Sequence, residues 1–149
     1  MKTAIDNIEK ERQRLLDEAK VLLALRHENL VNCFRVISSA DHLFVLIEYM
    51  DGGTLHEFIE NFPKEHNAPA YSEEFCKYTL YQIAKGLEHM HKKNVLHRDI
   101  KAANILLSAN GQVKIADFGF SKRYAEGSVR DTQLGTIAYW APEILMGDP

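Results

Sequence analysis

Three short motifs gather the side chains of this 149-residue chain that could do chemistry. The first is His97-Arg98-Asp99-Ile100-Lys101-Ala102-Ala103-Asn104; Asp117-Phe118-Gly119 and Ala141-Pro142-Glu143 follow in that order. Asn104 and Asp117 offer hard oxygen ligands of the kind Mg²⁺ requires. Taken singly, Asp99 or Asp117 reads as an exposed turn acid, and only the ordered set raises them above that. Other candidates for metal chemistry fail on spacing. His89 and His91 are two apart on a predicted helix, so they point to different faces and cannot share an ion. Cys33 and Cys76 lie far apart without ligand spacing, and read as buried small hydrophobes rather than as a disulfide.

The elements that must hold these motifs are legible from pattern. Ser72 followed by Glu73 and Glu74 is a helix start, and the helix is predicted to run to about Lys93, just short of His97. Two short β runs, Ile105–Leu107 and Val113–Ala116, flank the turn Ala109-Asn110-Gly111 and carry Asn104 and Asp117 at their ends. Upstream, apolar residues at helical spacing (Ile5, Ile8, Leu15, Leu16, Ala19, Leu22 and Leu23) predict an amphipathic helix over 5–25. Leu30–Ile37 and Leu43–Tyr49 read as an antiparallel hairpin around Ser38-Ser39-Ala40-Asp41. Asp51-Gly52-Gly53 breaks the second strand, Leu55–Asn61 reads as a short helix, and Asn61–Tyr71, with Pro63 and Pro69, as a loop.

Bulk properties narrow the class. The chain is 46% hydrophobic and 26% charged, ordinary for a globular protein. A formal net charge of -3 argues against a nucleic-acid binder, which would carry a basic stripe. The N-terminus has charges where a signal peptide needs an apolar stretch, and the longest apolar run, 43–47, is too short to span a bilayer. A soluble, intracellular, cytoplasmic protein with no membrane or nucleic-acid partner is expected.

Taken together, the three motifs resemble the catalytic loop, the metal-binding triplet and the Ala-Pro-Glu triplet of the eukaryotic-type protein kinase family. The resemblance runs from end to end of the chain and implies an α+β, protein-kinase-like fold, partial in extent. It would comprise a small-lobe remnant (1–50, regulatory helix plus β-hairpin), a hinge (51–53) and the first half of the helical large lobe (54–149). Asp99 resembles the aspartate that orients the substrate hydroxyl and accepts its proton, and Lys101 the lysine that steadies the transferring phosphate in serine/threonine kinases. Asn104 and Asp117 would hold the Mg²⁺ that bridges the phosphates of ATP. Thr136 resembles the threonine that bridges Asp99 and Lys101. The run 44–53 resembles the adenine-contacting strand and linker, with backbone groups of Glu48 and Met50 on the base, Ile47 controlling access behind it and Leu106 closing the pocket from below. Glu18 resembles the regulatory-helix glutamate that pairs with an ATP-anchoring lysine; the alternative is a solvated acid. Lys2 stands where that lysine belongs, and reads equally as a terminal residue. Thr132 matches the usual activating phosphorylation position, where an upstream kinase would act, and Arg98 and Lys122 could pair with the phosphate.

Lys101 favours serine or threonine over tyrosine as acceptor, and 99–117 looks most like the upstream kinases of the MAP kinase cascade. Departures from the family pattern temper the activity expected of this chain alone. It contains no Gly-x-Gly-x-x-Gly, the loop that covers ATP phosphates, and it stops before the helices that would pair with Glu143 and cover the long helix. A catalytic serine/threonine kinase seen as a partial domain is therefore expected, with little activity as an isolated 149-residue chain. The alternative is a non-catalytic kinase-like module that binds a partner through uncovered faces.

Overall fold

A computed structural model of the chain describes residues 12–13, 15–16, 19–39, 42–66, 71–119, 121–123 and 135–147; for 62–66, 122 and 123 it describes the backbone only. The first helix, α1, is helical at 12–13, 15–16 and 19–24. Ala19 and Leu25 are buried, but Leu15 and Leu23 are exposed, so the apolar stripe is wider than the surface that the described elements cover. The N-terminal part of the predicted helix lies outside the described residues, as do Lys2, Glu18, Thr132 and the side chain of Lys122.

β1 (Cys33–Ser38) and β2 (Leu43–Ile47) form the expected antiparallel hairpin, with an irregularity between Cys33 and Arg35. The turn is fixed by Ser39, whose N–H donates to His42 O and whose Oγ takes the N–H of His42. Phe34, Phe44, Leu46 and Ile47 are each about half exposed, so both faces of this ribbon meet solvent.

The helix after the glycine pair runs further than the sequence suggests. α2 spans Leu55–His66, straight through Pro63. A proline there lacks the N–H that would bond the carbonyl of Ile59 four residues back. That carbonyl is taken instead by the hydroxyl of Tyr71, which explains why the helix survives its proline. The start is a reciprocal cap: Thr54 Oγ1 accepts from Glu57 N–H while Glu57 Oε2 accepts from Thr54 N–H.

α3 (Glu73–Lys92) begins, as expected, at Ser72, whose hydroxyl accepts the N–H of Phe75 at 3.1 Å. Its buried stripe is Thr79, Gln82, Gly86 and Met90. Cys76 sits in the first turn, ahead of that stripe, and is exposed; the expectation that both cysteines are buried holds only for Cys33. Gly86 permits a close approach, since a Cβ there would lie 2.8 Å from Asn29 O and 3.0 Å from Ile115 Cδ1. Above it, Asn29 Nδ2 donates to Gln82 Oε1 and to Val113 O, and the same Gln82 oxygen accepts from Val113 N–H. The outer face of α3 leaves Tyr78, Leu80 and Tyr81 well exposed, as expected of that helix.

Two further ladders complete the body. β4 (Ile105–Leu107) pairs with β5 (Val113–Ile115), as predicted. β3 (Val95–Leu96) pairs with β6 (Lys122–Arg123), a contact of two residues each that no periodicity reveals. Leu25, Leu30, Met90, Val95, Ile105, Leu107, Val113, Ile115 and Phe118 form one buried cluster beneath them. Short 3-10 turns at Ala102–Asn104 and Ile137–Tyr139 precede β4 and the single helical turn α4 (Pro142–Leu145), which opens within Ala141-Pro142-Glu143. Proline at its first position suits the helix start, where no N–H is needed. Among the described residues, no helix is long and apolar enough to cross a membrane.

Candidate active site

The segment between α3 and β4 turns sharply. Asn94 ends the helix at φ 56° and Arg98 sits at φ 68°, both left-handed, a conformation bulky L-residues adopt only when their surroundings enforce it. What enforces it at Arg98 is a set of bonds on either side. His97, buried, has Nε2 2.9 Å from Ala116 O, and its Nδ1 accepts the N–H of Asp99 at 3.3 Å. These partners fix the neutral tautomer with the proton on Nε2. Burial pushes the imidazole pKa down, outweighing the bond to Ala116 and the nearby carboxylates. The ring also meets Phe118 with centroids 5.4 Å apart, so His97 joins the first motif to the second. Sequence reasoning gave His97 no role; its signal was only its place beside Arg98 and Asp99.

Asp99, 4% exposed, is the hub of the site. Its Oδ2 accepts from Lys101 Nζ at 2.8 Å and Asn104 Nδ2 at 3.0 Å. Its Oδ1 accepts from the N–H of Thr136 at 2.9 Å and from the Thr136 hydroxyl at 2.7 Å. Lys101 Nζ closes the triangle by donating to Thr136 Oγ1 at 2.8 Å. Burial alone would raise the Asp99 carboxyl, but Lys101, Thr136 and Asn104 outweigh it and hold the pKa at about 2. Gly135, at φ 101°, lets Thr136 reach this position, since a side chain there would run into the carbonyl of Arg98. Four of the residues singled out in the sequence, Asp99, Lys101, Asn104 and Thr136, therefore meet on one carboxylate.

Asp117 differs. It is exposed, at φ 59°, and its Oδ1 accepts the N–H of Gly119 at 3.2 Å. It lines a cavity of about 220 Å³ together with Leu22, Val31, Val45, Ile47, Ala116 and Phe118. Ile47 and Asp117 are thus brought together, whereas Glu48, Met50 and Leu106 are not among the residues lining that cavity. Leu106 lies on β4 opposite Lys114 and bridges to Thr54. The linker after β2 is sewn to β4: Gly52 N–H donates to Leu107 O at 3.0 Å, Leu107 N–H to Gly53 O at 2.9 Å, and Ala109 N–H to Asp51 Oδ1 at 2.9 Å. Two residues absent from the sequence reading, Asn32 and Lys114, both bond the Glu48 carboxylate.

The donor set fits a hard cation. Asn104 commits its Nδ2 to Asp99, which leaves Oδ1 as an acceptor, and Asp117 presents an exposed carboxylate. Mg²⁺ asks no more of a protein than one or two such oxygens when phosphates and waters supply the rest. No group of three or more His, Cys, Asp or Glu side chains that could cage a metal occurs among the described residues.

Comparison with known proteins agrees with this geometry. The family model described as "Protein kinase domain" matches residues 1–149. The chain is 34% identical over 139 residues to an Aurora kinase of Eremothecium gossypii, covering 93% of this chain and 35% of that protein. It is 36% identical over 137 residues to the serine/threonine-protein kinase CLA4 of Saccharomyces cerevisiae, covering 90% of this chain and 16% of the relative. A probable serine/threonine-protein kinase of Dictyostelium discoideum is 38% identical over 132 residues, covering 88% of this chain and 25% of its own length. The chain thus spans about a third or less of these relatives. With its three motifs in order, Asp99 at the centre of a Lys-Thr-Asn triangle, and a family match along its whole length, the chain belongs to the protein kinase domain family.

Proposed function

We propose that the chain is part of a cytoplasmic serine/threonine kinase that moves the γ-phosphoryl group of ATP to a Ser or Thr hydroxyl of a protein substrate. The observation that carries this reading is the single carboxylate of Asp99 shared by Lys101, Thr136 and Asn104. Phosphoryl transfer asks a protein for positioning and for neutralisation of crowded negative charge, more than for covalent chemistry. A carboxylate with a pKa of about 2 is too weak a base to deprotonate an alcohol in advance. Asp99 therefore orients the hydroxyl and receives its proton as the new P–O bond forms and the bond from the γ-phosphorus to the bridging oxygen breaks, releasing ADP. Lys101, partly exposed beside it, faces the charge that builds on the moving phosphoryl group. Mg²⁺, when bound by Asn104 and Asp117, supplies neutralisation of the ATP phosphates.

The remaining assignments belong to the same proposal. Backbone groups of Glu48 and Met50 meet adenine, with Ile47 beside the cavity and Leu106 below the base. Lys2 and Glu18 form the anchoring ion pair, and Arg98 and Lys122 receive a phosphate that an upstream kinase places on Thr132. Residues 1–50 and 54–149 then belong to the small and large lobes, joined at 51–53.

In the full-length protein, Mg²⁺-dependent transfer to serine or threonine peptides and not to tyrosine peptides is expected. Asp99→Asn should lower it about 100-fold or more. A mutant that retains full transfer sinks the assignment of Asp99. The exposed apolar face of α3, with Tyr78, Leu80 and Tyr81, favours a second reading, a non-catalytic kinase-like module that docks a partner. Absence of both ATP binding and transfer would select it.

A further inference from the structure

Lys114 has no part in the reading above, yet it is the residue whose placement most needs a reason. It sits at the centre of β5, whose three residues are all buried, and is itself 4% exposed. A charged ammonium at such a position requires a partner, because an unpaired charge held away from water is strongly disfavoured. The partner is Glu48, the first residue after β2. Lys114 Nζ lies 2.7 Å from Glu48 Oε1 and 2.9 Å from Oε2. The same Oε2 accepts from Asn32 Nδ2 at 2.9 Å and from the N–H of Asn32 at 3.1 Å. In return, the N–H of Glu48 donates to Asn32 O at 2.9 Å.

Glu48 is thus held through its N–H and both carboxylate oxygens, from β5 on one side and from the approach to β1 on the other. Its main-chain carbonyl is the group that none of these bonds engages. Burial would raise the Glu48 carboxyl, but the bonds from Lys114 and Asn32 outweigh it and hold the group ionised. Charge-assisted bonds converging in a half-buried site are stiffer than a surface ion pair, which loses much of its strength to water. Lys114 also lies three residues before Asp117 on the same stretch of chain. The strand that leads into Asp117 therefore fixes where residue 48 stands.

We propose that Lys114 is a positioning residue for the nucleotide base. Through Glu48 it sets the height and direction of the 48–50 backbone that meets adenine, so that base and phosphate sites keep one separation. The inference rests on the reading that residues 48–50 contact adenine, and its test separates the two. In the full-length protein, calorimetric titration compares adenosine, which needs only the base site, with Mg²⁺ tripolyphosphate, which needs only the phosphate site. Lys114→Met should weaken adenosine about tenfold, the worth of one charge-assisted bond, and leave tripolyphosphate within about twofold. Asn32→Ala keeps the Lys114–Glu48 pair, so it preserves the fold where Lys114→Met unfolds the protein; it should weaken adenosine about threefold with tripolyphosphate unchanged. Unchanged adenosine affinity in these variants overturns the proposal, as does an equal loss for both probes, which would reduce Lys114 to a merely structural lysine. A wild-type protein that binds neither probe overturns the kinase reading itself.

Discussion

The Asp99 cluster and the β1–β2 ribbon represent opposite ways of building a small piece of structure. Around Asp99 the carboxylate oxygens meet a lysine, a threonine and an asparagine within 3.0 Å, and the residue is buried. In the ribbon, ladder bonds hold the two strands, but Phe34, Phe44 and Leu46 lie more than half exposed. Polar networks of the first kind are stiff and intolerant, because each member loses its partner when another is removed. A two-strand ribbon of the second kind draws little stability from its own side chains. Polar bonds are concentrated around the Asp99 carboxylate, and apolar surface is left open on the ribbon.

That contrast can be broken at its strongest point by Gly135→Ala. Its φ of 101° and the carbonyl of Arg98 in the way of any side chain predict a loss of about 3 kcal/mol, read by urea denaturation. A loss below about 1 kcal/mol would show the cluster to be more yielding than described. The acid limb comes next. Burial holds the His97 pKa below the usual 6.5, so the unfolded chain takes up a proton that the folded chain refuses. Stability contributed by neutral His97 is complete above pH 6.5 and falls below it, by up to about 1.4 kcal/mol per pH unit until the folded-state pKa is reached. Asp99 adds a second loss of the same direction, from its ordinary 3.8 down to about 2. Replacing His97 with Phe should remove the first of these slopes and leave the second.

Thr136→Val tests the triangle with a smaller effect. It removes the hydroxyl between Asp99 and Lys101 but keeps the N–H bond, and should cost about 1–2 kcal/mol and slow peptide phosphorylation about tenfold. Smallest of all is Phe44→Ser in the ribbon, 57% exposed, which should change stability by less than about 0.5 kcal/mol. A larger loss would mean that the ribbon's face is covered in the folded protein.

Much of this was legible in the sequence, for physical reasons that differ by region. The cap at Ser72 and the 105–115 hairpin announced themselves, because each depends on local chemistry alone. The bridge of Thr136 between Asp99 and Lys101 was expected from family resemblance, and no spacing argument would have brought Thr136 to residue 99; the bond from Asn104 to Asp99 was not expected. Features set by distant partners stayed hidden. Pro63 reads as a breaker until Tyr71 takes the carbonyl it leaves unbonded. Lys114 draws no notice in the β run 113–116, because its partner Glu48 lies 66 residues away in sequence. The β3–β6 ladder is too short to carry a pattern at all.

The paired bonds between Asn32 and Glu48 also have a mechanical meaning. Just before Asn32, the main chain of 29–31 is locked to β5 by Ile115 N–H on Asn29 O and Val31 N–H on Ile115 O. Just after Glu48, residues 52–53 are locked to β4. The ribbon therefore leaves the body through two adjacent crossings that are themselves fastened together. A plate attached at two neighbouring points has one easy rotation, about the line through them, and any other turn must stretch a bond. Arg12 bonds Ser38 and Ser39 at the ribbon's far end, so a swing about the Asn32–Glu48 axis would pull on the start of α1, whose other end is held by Leu25 in the buried cluster.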